Sequence, residues 1–342
     1  MSESKAIAVS VITPVYKTPL NYFKECLDSL HNQTMPNAEF IVVFDGEDNL
    51  LCDFCEDYKK KDERFKIYIQ PHFGVSATRN FGISQAIGEY ITFVDADDSI
   101  EKDCCLETYN FAKENNSEVV LFDYTPVSNQ YKQMFFSSDS IQELPNSTIE
   151  KIQQESIYLT SEKYVAAVST WCKLIKKNLV DLNHIHFPTN LKRCVDRPVS
   201  FSIFYFAKKV SYLNKTFYNY NKVETSITWT QNDSNANIIL AYLTEIKKIS
   251  NKFSTTIGRC AMETFLDSWS TNYFIKGSAF SILESVNTIK KIAKSANFQQ
   301  LIERFDSSQW TFPVKLEAFL IKHRITFHIW LHAFKWKYLT NR

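Results

Sequence analysis

An acidic cluster is the segment of this chain whose residue types point most directly to chemistry. Residues 95–98 read Asp-Ala-Asp-Asp and follow an apolar run at residues 90–94. Carboxylates at the end of a buried strand must face water or a cation, because burying an unpaired charge costs too much free energy. Their oxygens are hard ligands that suit Mg²⁺ or Mn²⁺. The cluster predicts a divalent-metal site formed by Asp97 and Asp95, and capping of the next helix through Asp98 is the alternative.

The elements that must carry this cluster alternate between strand and helix over the first 125 residues. Apolar, β-rich runs are followed by segments with helical spacing of their apolar residues. The predicted strands cover residues 8–13, 39–44, 65–69, 90–94 and 118–123, and the predicted helices cover residues 20–30, 50–60, 74–87 and 103–114. This alternation is typical of βαβ units and predicts an α/β fold with a mostly parallel sheet flanked by helices.

Polar residues stand where three of these strands end. Residues 13–16 follow the first strand, Asp45 and Gly46 follow the second, and the acidic cluster follows the fourth. Ligands of parallel α/β sheets bind at the carboxyl ends of the strands. Arg79 lies in the first turns of a predicted helix, whose positive end suits a phosphate. We therefore expect one ligand site at this edge of the sheet.

Four motifs, in this order and at this spacing, resemble those of family 2 glycosyltransferases. They are Val-Ile-Thr-Pro-Val-Tyr at residues 11–16, Phe-Asp-Gly at residues 44–46, Gly-Val-Ser-Ala-Thr-Arg-Asn-Phe-Gly-Ile at residues 74–83, and Gly-Glu-Tyr-Ile-Thr-Phe-Val-Asp-Ala-Asp-Asp at residues 88–98. The last two motifs are the most specific. The resemblance implies a GT-A fold with a Rossmann-like sheet, a nucleotide-diphosphate sugar donor and inversion at the anomeric carbon.

The resemblance also implies roles for the residues at matching positions. The donor-binding positions are Pro14, Val15, Tyr16, Asp45, Arg79, Asp95 and Ala96. Asp45 would contact the base, most often uracil, and Asp97 with Asp95 would hold Mn²⁺ or Mg²⁺. The family often has two acidic residues where this chain has Phe44 and Asp45, which leaves the base contact to Asp45. Plainer alternatives are that the polar strand ends are only turns and that Arg79 is an exposed cation.

The second part of the chain carries a candidate general base. Segments that resemble the acceptor half of the same family lie at residues 186–188, 193–198, 210–213 and 218–220. In that half an acidic residue takes the proton of the attacking hydroxyl, and Asp196 is the residue carried over to this role. A carboxylate within hydrogen-bond reach of a sugar hydroxyl can accept its proton during attack. A surface ion pair of Asp196 with Arg193 or Arg197 is the alternative.

Trp171 and Lys173 are the predicted acceptor contacts, because residues 171–174 also resemble the acceptor half of the family. Trp171 could stack on a sugar face, or it could belong to the core. Residues 226–229 resemble a segment near the donor phosphates. Residues 127–156 are rich in Ser, Asn and Gln, and we interpret them as a long loop or insertion.

Length, charge and composition limit the possible partners. The chain has 342 residues and a net charge of +1, as expected for an ordinary globular protein that is not an electrostatic nucleic-acid binder. Its eight cysteines lack the paired spacing of a zinc site. The polar N-terminus does not resemble a signal peptide, and no apolar run reaches the roughly 18 residues of a spanning helix. These features predict a cytoplasmic location.

Three regions are expected: residues 1–125 as the nucleotide-sugar-binding half of a GT-A domain, 126–230 as its acceptor-binding half, and 231–342 as a C-terminal helical region. Residues 310–342 combine aromatic and basic side chains, which suits peripheral contact with an anionic membrane surface. Docking of this tail on its own domain is the alternative. The expected acceptor is a surface-glycan or lipid-linked saccharide, such as capsule or lipopolysaccharide.

Other functions remain open at this point. A sugar nucleotidyltransferase should carry a Gly-rich triphosphate loop near the N-terminus, and residues 13–18 contain no glycine. An epimerase or dehydrogenase should carry G-x-G-x-x-G after the first strand, which is also absent. A non-catalytic glycan-binding or scaffold protein would tolerate loss of Asp97 or Asp196 and would turn over no sugar nucleotide.

Overall fold

Met1–Thr230 and Gln231–Arg342 form two separate units. The structure is a computed structural model, and it describes residues 6–126, 143–158, 160, 164–221, 235–268, 282–308, 311–325 and 329. The first unit combines a sheet with helices, and the described part of the second unit is helical.

Strands and helices alternate through the first half of the first unit. They are β1 (Val9–Val15), α1 (Leu20–His31), β2 (Ala38–Asp45), α2 (Asn49–Lys61), β3 (Phe65–Gln70), α3 (Val75–Gln85), β4 (Tyr90–Phe93), β5 (Ser99–Ile100), α4 (Cys104–Glu114) and β6 (Val119–Pro126). All nine elements expected from the sequence are present, with their ends shifted by a few residues. Only the short strand β5 was not predicted.

The second half of this unit adds short helices and two strands. They are α5 (Asn146–Ile157), α6 (Val165–Val168), β7 (Lys173–Lys176), α7 (Lys177–Leu182), α8 (Asp196–Phe206) and β8 (Val210–Tyr220). The prediction of a loop over residues 127–156 is wrong where α5 forms. Ile149 and Ile152 are buried, and the Gln153 side chain donates to the carbonyl of Phe204 at 2.9 Å. Packing against α8 thus makes a polar segment helical.

The eight strands found in the described ranges belong to one sheet with the order β3-β2-β1-β4-β7-β6-β8-β5. Strands β1 to β4 are parallel, β7 is antiparallel to both neighbours, and β6 pairs in parallel with β8. The register aligns Val15 of β1 with Phe44 of β2, and Asp45 with Gln70 of β3. The polar residues at these strand ends therefore lie along one edge, and the predicted α/β fold is confirmed.

Helix α3 packs tightly on β1. A Cβ atom added at Gly82 would lie 2.4 Å from the Ile12 side chain, so a larger residue would push the helix away. At the start of α3, Gly74 has a φ of +90°, a conformation that other residues rarely adopt. These two glycines set the position of the helix that carries Arg79.

The second unit contains α9 (Asn235–Ile249), α10 (Ser254–Ser268), α11 (Ile282–Lys294), α12 (Ala296–Leu301) and α13 (Phe312–Lys322). Its core includes Leu243, Ile246, Ile257, Phe265 and Phe298. Within the described residues, no helix has both the length and the apolar character needed to cross a membrane. Of the predicted membrane-contacting tail, residues 310, 326–328 and 330–342 lie outside the described part of the chain, as do residues 226–229.

Candidate active site

The predicted donor-binding residues surround the carboxyl ends of three neighbouring strands. Pro14 and Val15 end β1, Asp45 ends β2, and Asp95 and Ala96 follow β4. Tyr16 follows β1 directly, and its side chain is 42% exposed. The structure thus brings together residues that are far apart in the sequence: Pro14 and Ala96 are separated by 82 positions.

Asp45 is almost completely buried, and its carboxylate is already hydrogen-bonded. It accepts from the backbone N–H groups of Phe73 and Gly74 at 2.8 and 3.0 Å, and it lies 2.8 Å from Nδ1 of His72. The His72 ring in turn stacks on Tyr16, with a centroid distance of 4.4 Å and an interplanar angle of 10°. Asp45 therefore shapes the turn before α3, and contact between Asp45 and a base stays a prediction.

Arg79 connects the two halves of the sheet. Its guanidinium donates to Asp95 Oδ1 and to Asp196 Oδ1, each at 2.8 Å, and it lies 5.3 Å from the centroid of the Phe187 ring. The residue is 6% exposed, so it is not the free surface cation of the alternative interpretation. Burial opposes its charge, but Asp196 and Asp95 outweigh burial and raise the pKa of Arg79.

Asp196 is the first residue of α8, so its carboxylate lies at the positive end of a helix. It reaches the donor side of the sheet through Arg79, a residue 117 positions earlier in the chain. Its side chain is 31% exposed and therefore remains accessible. The neighbouring Arg197 donates to the backbone carbonyls of Glu155 and Ser156, at the end of α5.

Residues 95–98, which we call the acidic loop, contain three carboxylates in three different environments. Asp95 pairs with Arg79, and Asp98 is 1% exposed and accepts from the Tyr218 hydroxyl and the Asn221 N–H. Among the residues that the structure describes, no other residue donates a hydrogen bond to the carboxylate of Asp97. Burial, and then the charge of Asp95, raise the pKa of Asp97 to about 6. A nearby cation would relieve this cost.

The donor set of the acidic loop fits a divalent cation that is shared with a diphosphate. No group of three or more His, Cys, Asp or Glu side chains converges within the described ranges, so an all-protein metal cage is not found there. Mg²⁺ commonly binds through one or two carboxylates plus substrate phosphates and water. Asp97, with Asp95 beside it, supplies that number of ligands.

Trp171 and Lys173 face other protein groups. Trp171 is 6% exposed and stacks on Tyr218 and Tyr220, with centroid distances of 5.1 and 5.6 Å. The Lys173 ammonium is fully buried and donates to the carbonyls of Ala166, Ser169 and Trp171, and burial lowers its pKa to about 7. These contacts support the loop between α6 and β7. The predicted contacts of both residues with an acceptor stay predictions.

Several residues of the site did not emerge from the sequence as functional. Asn80 donates to the Phe187 carbonyl and accepts from the Phe187 N–H, both at 2.8 Å, which fixes the backbone under Arg79. Tyr218 and Asn221 contact the acidic loop from β8 and the residue after it. Asn80 follows Arg79 in one of the family motifs, and this position could have identified it as a residue of the site. Nothing in the local pattern singles out Asn221.

Comparison with known proteins decides the family. The family model for Glycosyl transferase family 2 matches residues 10–181, half of the chain. The chain belongs to glycosyl transferase family 2. This match includes β1, the acidic loop, Trp171 and Lys173, and it ends before Asp196.

Two similar proteins illustrate how far the similarity extends. The chain is 34% identical over 215 residues to the putative glycosyltransferase EpsH of Bacillus subtilis, covering 62% of this chain and 60% of EpsH. It is 27% identical over 247 residues to the poly(ribitol-phosphate) beta-N-acetylglucosaminyltransferase TarP of Staphylococcus aureus, covering 70% of this chain and 71% of TarP. The matched region thus spans less than two thirds of EpsH.

A solved structure has the same fold over nearly the whole chain. The crystal structure of S. aureus TarS 1–349 in complex with UDP-GlcNAc matches with a TM-score of 0.68 and 21% identity, covering 96% of this chain and 90% of that one. The predicted family and GT-A fold are therefore confirmed.

Proposed function

We propose that this protein transfers a sugar from a nucleotide-diphosphate donor, a UDP-sugar, to an acceptor hydroxyl with inversion at the anomeric carbon. One observation carries the proposal. Arg79 binds Asp95 of the acidic loop and Asp196 of the second half at the same time, each at 2.8 Å. A candidate donor site and a candidate general base therefore share one guanidinium group.

The proposed donor site lies at the ends of β1, β2 and β4. Tyr16 offers an exposed aromatic face for the base, and Arg79 offers a guanidinium whose geometry suits phosphate oxygens. A Mn²⁺ or Mg²⁺ ion bound by Asp97 and Asp95 would neutralise charge on the departing nucleoside diphosphate. The UDP-GlcNAc complex of TarS supports the choice of a UDP-sugar.

Asp196 is the proposed general base. Its carboxylate is partly exposed, and Arg79 orients one of its oxygens. The other oxygen has no hydrogen-bond partner among the described residues and would accept the proton. An acceptor hydroxyl bonded to that oxygen would lose its proton while it attacks the anomeric carbon. Attack from the face opposite the leaving diphosphate inverts the configuration, so an α-linked donor gives a β-linked product.

The proposed acceptor is a surface-glycan or lipid-linked saccharide. Trp171 and Lys173 stay the proposed acceptor contacts, and both also support the loop between α6 and β7. The relative TarP is a poly(ribitol-phosphate) transferase, which supports a surface polymer as the proposed class of acceptor. Capsule and lipopolysaccharide precursors are further examples of the proposed acceptor class.

A donor panel tests the proposed activity. Purified protein is incubated with UDP-glucose, UDP-galactose or UDP-GlcNAc, with Mn²⁺ or with EDTA, and UDP release is measured. We expect release from one donor that depends on Mn²⁺ and is lost in Asp97→Asn. Asp57→Asn, on the exposed face of α2, is the matched carboxylate control and should keep full activity. A scaffold protein would release UDP from none of the donors.

Peripheral contact with the inner face of the cell membrane is a further part of the proposal. On α13, Leu316 and Phe319 are about half exposed, and Lys322 is exposed one turn later. Such a surface binds anionic lipid through apolar insertion and charge. Sedimentation with vesicles tests this: binding to phosphatidylglycerol vesicles and not to phosphatidylcholine vesicles is expected, and Phe319→Glu should abolish it. Equal recovery with both lipids would contradict the proposal.

A further inference from the structure

The backbone of the acidic loop is held from outside, by residues at the end of β8. The Asp95 N–H donates to the Tyr218 hydroxyl at 3.2 Å, and that hydroxyl donates to Asp98 Oδ2 at 2.6 Å. The Asn221 N–H donates to Asp98 Oδ1 at 2.7 Å, and its side-chain amide donates to the Asp97 carbonyl at 2.7 Å. Two residues therefore contact the first, third and fourth positions of the loop.

These contacts sort the carboxylates by function. Both oxygens of Asp98 are used in hydrogen bonds inside the protein, so Asp98 is an anchor and not a metal ligand. The Asp97 carboxylate receives no bond from another described residue, although its own carbonyl is fixed by Asn221. The loop is thus held by its backbone and by Asp98, which leaves the Asp97 side chain available.

Tyr218 is itself rigidly placed. Its ring stacks on Trp171 with an interplanar angle of 17°, and Trp171 packs edge-on against Tyr124 at a centroid distance of 4.7 Å. The Tyr218 side chain is fully buried. A ring confined in this way keeps its hydroxyl between Asp95 and Asp98, because rotation of the phenol would require the aromatic stack to open.

We propose that Tyr218 and Asn221 are positioning residues that hold the acidic loop in the conformation in which Asp97 binds the divalent cation. The inference rests on the proposed metal-dependent function. It adds that residues from the second half of the sheet hold the metal ligand Asp97 in place. Residues that orient metal ligands through hydrogen bonds typically change metal affinity by about 10- to 100-fold when they are mutated.

Metal affinity is the readout that separates positioning from simple stability. Mn²⁺ binding to the full chain in the presence of UDP is measured by electron paramagnetic resonance of free Mn²⁺. Tyr218→Phe removes only the hydroxyl, and we expect its dissociation constant for Mn²⁺ to rise about 10-fold or more. Asn221→Ser removes the bond to the Asp97 carbonyl but keeps the N–H bond to Asp98, and a smaller rise in the same direction is expected.

Tyr212→Phe is the matched control. Tyr212 lies on the same strand, is equally buried, and donates its hydroxyl to another carboxylate, Asp123, at 2.5 Å. Loss of the Tyr212 hydroxyl should lower the thermal unfolding midpoint about as much as Tyr218→Phe does, and should change Mn²⁺ affinity by less than about twofold. Raising the Mn²⁺ concentration should restore UDP release in Tyr218→Phe, and it should have no such effect on Tyr212→Phe.

The possible outcomes are distinct. Wild-type Mn²⁺ affinity in both Tyr218→Phe and Asn221→Ser overturns the positioning roles, and so does an equal loss in Tyr212→Phe. If Tyr218→Phe does not fold, Asn221→Ser alone decides. A wild-type protein that binds UDP without any Mn²⁺ dependence would instead count against the metal-dependent function itself.

Discussion

The two halves of the first unit supply different parts of the candidate active site. In the first half, parallel strands end at one edge and present Tyr16, Asp45 and the acidic loop directly. In the second half, the sheet mixes directions, the β6–β8 register shifts near Asp123, and Asp196 comes from the start of a helix. The comparison teaches that the proposed donor site follows from regular topology, whereas the proposed proton acceptor depends on how the second half packs.

Two adjacent residues of α3 join the halves. Arg79 pairs with Asp196, and Asn80 hydrogen-bonds both backbone groups of Phe187. Tyr218 and Asn221 of the second half in turn hydrogen-bond to the acidic loop of the first half. If this division is right, mutations in each half should have separable effects on binding and on chemistry.

Asp196→Asn tests the division most directly and should have the largest effect. The amide keeps the size of the side chain but cannot accept the proton, so kcat for transfer should fall by about 10²- to 10⁴-fold. UDP binding, measured by calorimetry, should stay within about threefold of wild type, because the base does not hold the donor. Equal loss of binding and turnover would show that the two halves do not divide their roles in this way.

Arg79→Met breaks the ion pairs that connect the halves. It leaves Asp95 and Asp196 without their shared cation, and we expect the free energy of unfolding in urea to fall by about 3 kcal/mol. Arg79→Lys keeps the charge but lacks the planar guanidinium, so its free energy of unfolding should lie between those of wild type and Arg79→Met. Lys113→Met, which breaks an exposed pair with Glu89, is the control and should cost less than about 1 kcal/mol. Similar costs for Arg79→Met and Lys113→Met would contradict a coupling through Arg79.

Asn80→Ala removes the second connection without touching a charge. Two buried backbone groups of Phe187 lose their partner, so the free energy of unfolding should fall by about 2 kcal/mol. Ser84→Ala, one turn later on α3, removes only a bond within the helix and should stay within about 0.5 kcal/mol of wild type. If both variants unfold at the same urea concentration, Asn80 does not hold the halves together.

Asp97→Asn should change stability in the opposite direction. The pKa of Asp97 is raised to about 6, mainly by burial, so between pH 4 and pH 6 the folded protein holds a proton that the unfolded chain has lost. The stabilisation from this proton is complete at low pH and is lost as the pH rises through 6. In EDTA at pH 7, where this stabilisation is lost, Asp97→Asn should therefore be more stable than wild type by up to about 3 kcal/mol.

Urea unfolding at pH 5 and pH 7 measures this effect. The difference between the two pH values should be smaller in Asp97→Asn than in wild type, and Asp57→Asn serves as a control far from the acidic loop. An unchanged pH dependence in Asp97→Asn would show that the pKa of Asp97 is not raised in the folded protein.

The first half could be predicted from its sequence because each element is local and repetitive. The residues of β1 and β2 are almost all buried, and most of them are β-branched or aromatic. The helices that follow show regular apolar spacing, so each segment favours its structure independently. The parallel arrangement then brings the strand ends together without further information. Positions such as Asp45, Arg79 and Asp95 followed from this arrangement and from the family motifs.

The second half could be predicted only in part. The helix α5 forms in a polar segment because it packs on α8, and Cys172 and Cys194 adopt φ values of +58° and +56° that no local pattern demands. The aromatic residue Trp171 could have faced a sugar or the core, and its stacking on two tyrosines of β8 was set by long-range packing. Side-chain surroundings of this kind depend on residues far away in sequence.

The sequence by itself determined the fold class, the family and the set of residues at the strand ends, because periodicity and motifs are local properties of the chain. Only the tertiary structure decided which carboxylate does what within the acidic loop. Asp97 and Asp98 are neighbours of the same type, yet Asp98 meets donors from β8 and the residue that follows it, and Asp97 meets none from another described residue. The difference arises because hydrogen-bond partners are supplied by packing across more than a hundred residues, which no local pattern encodes.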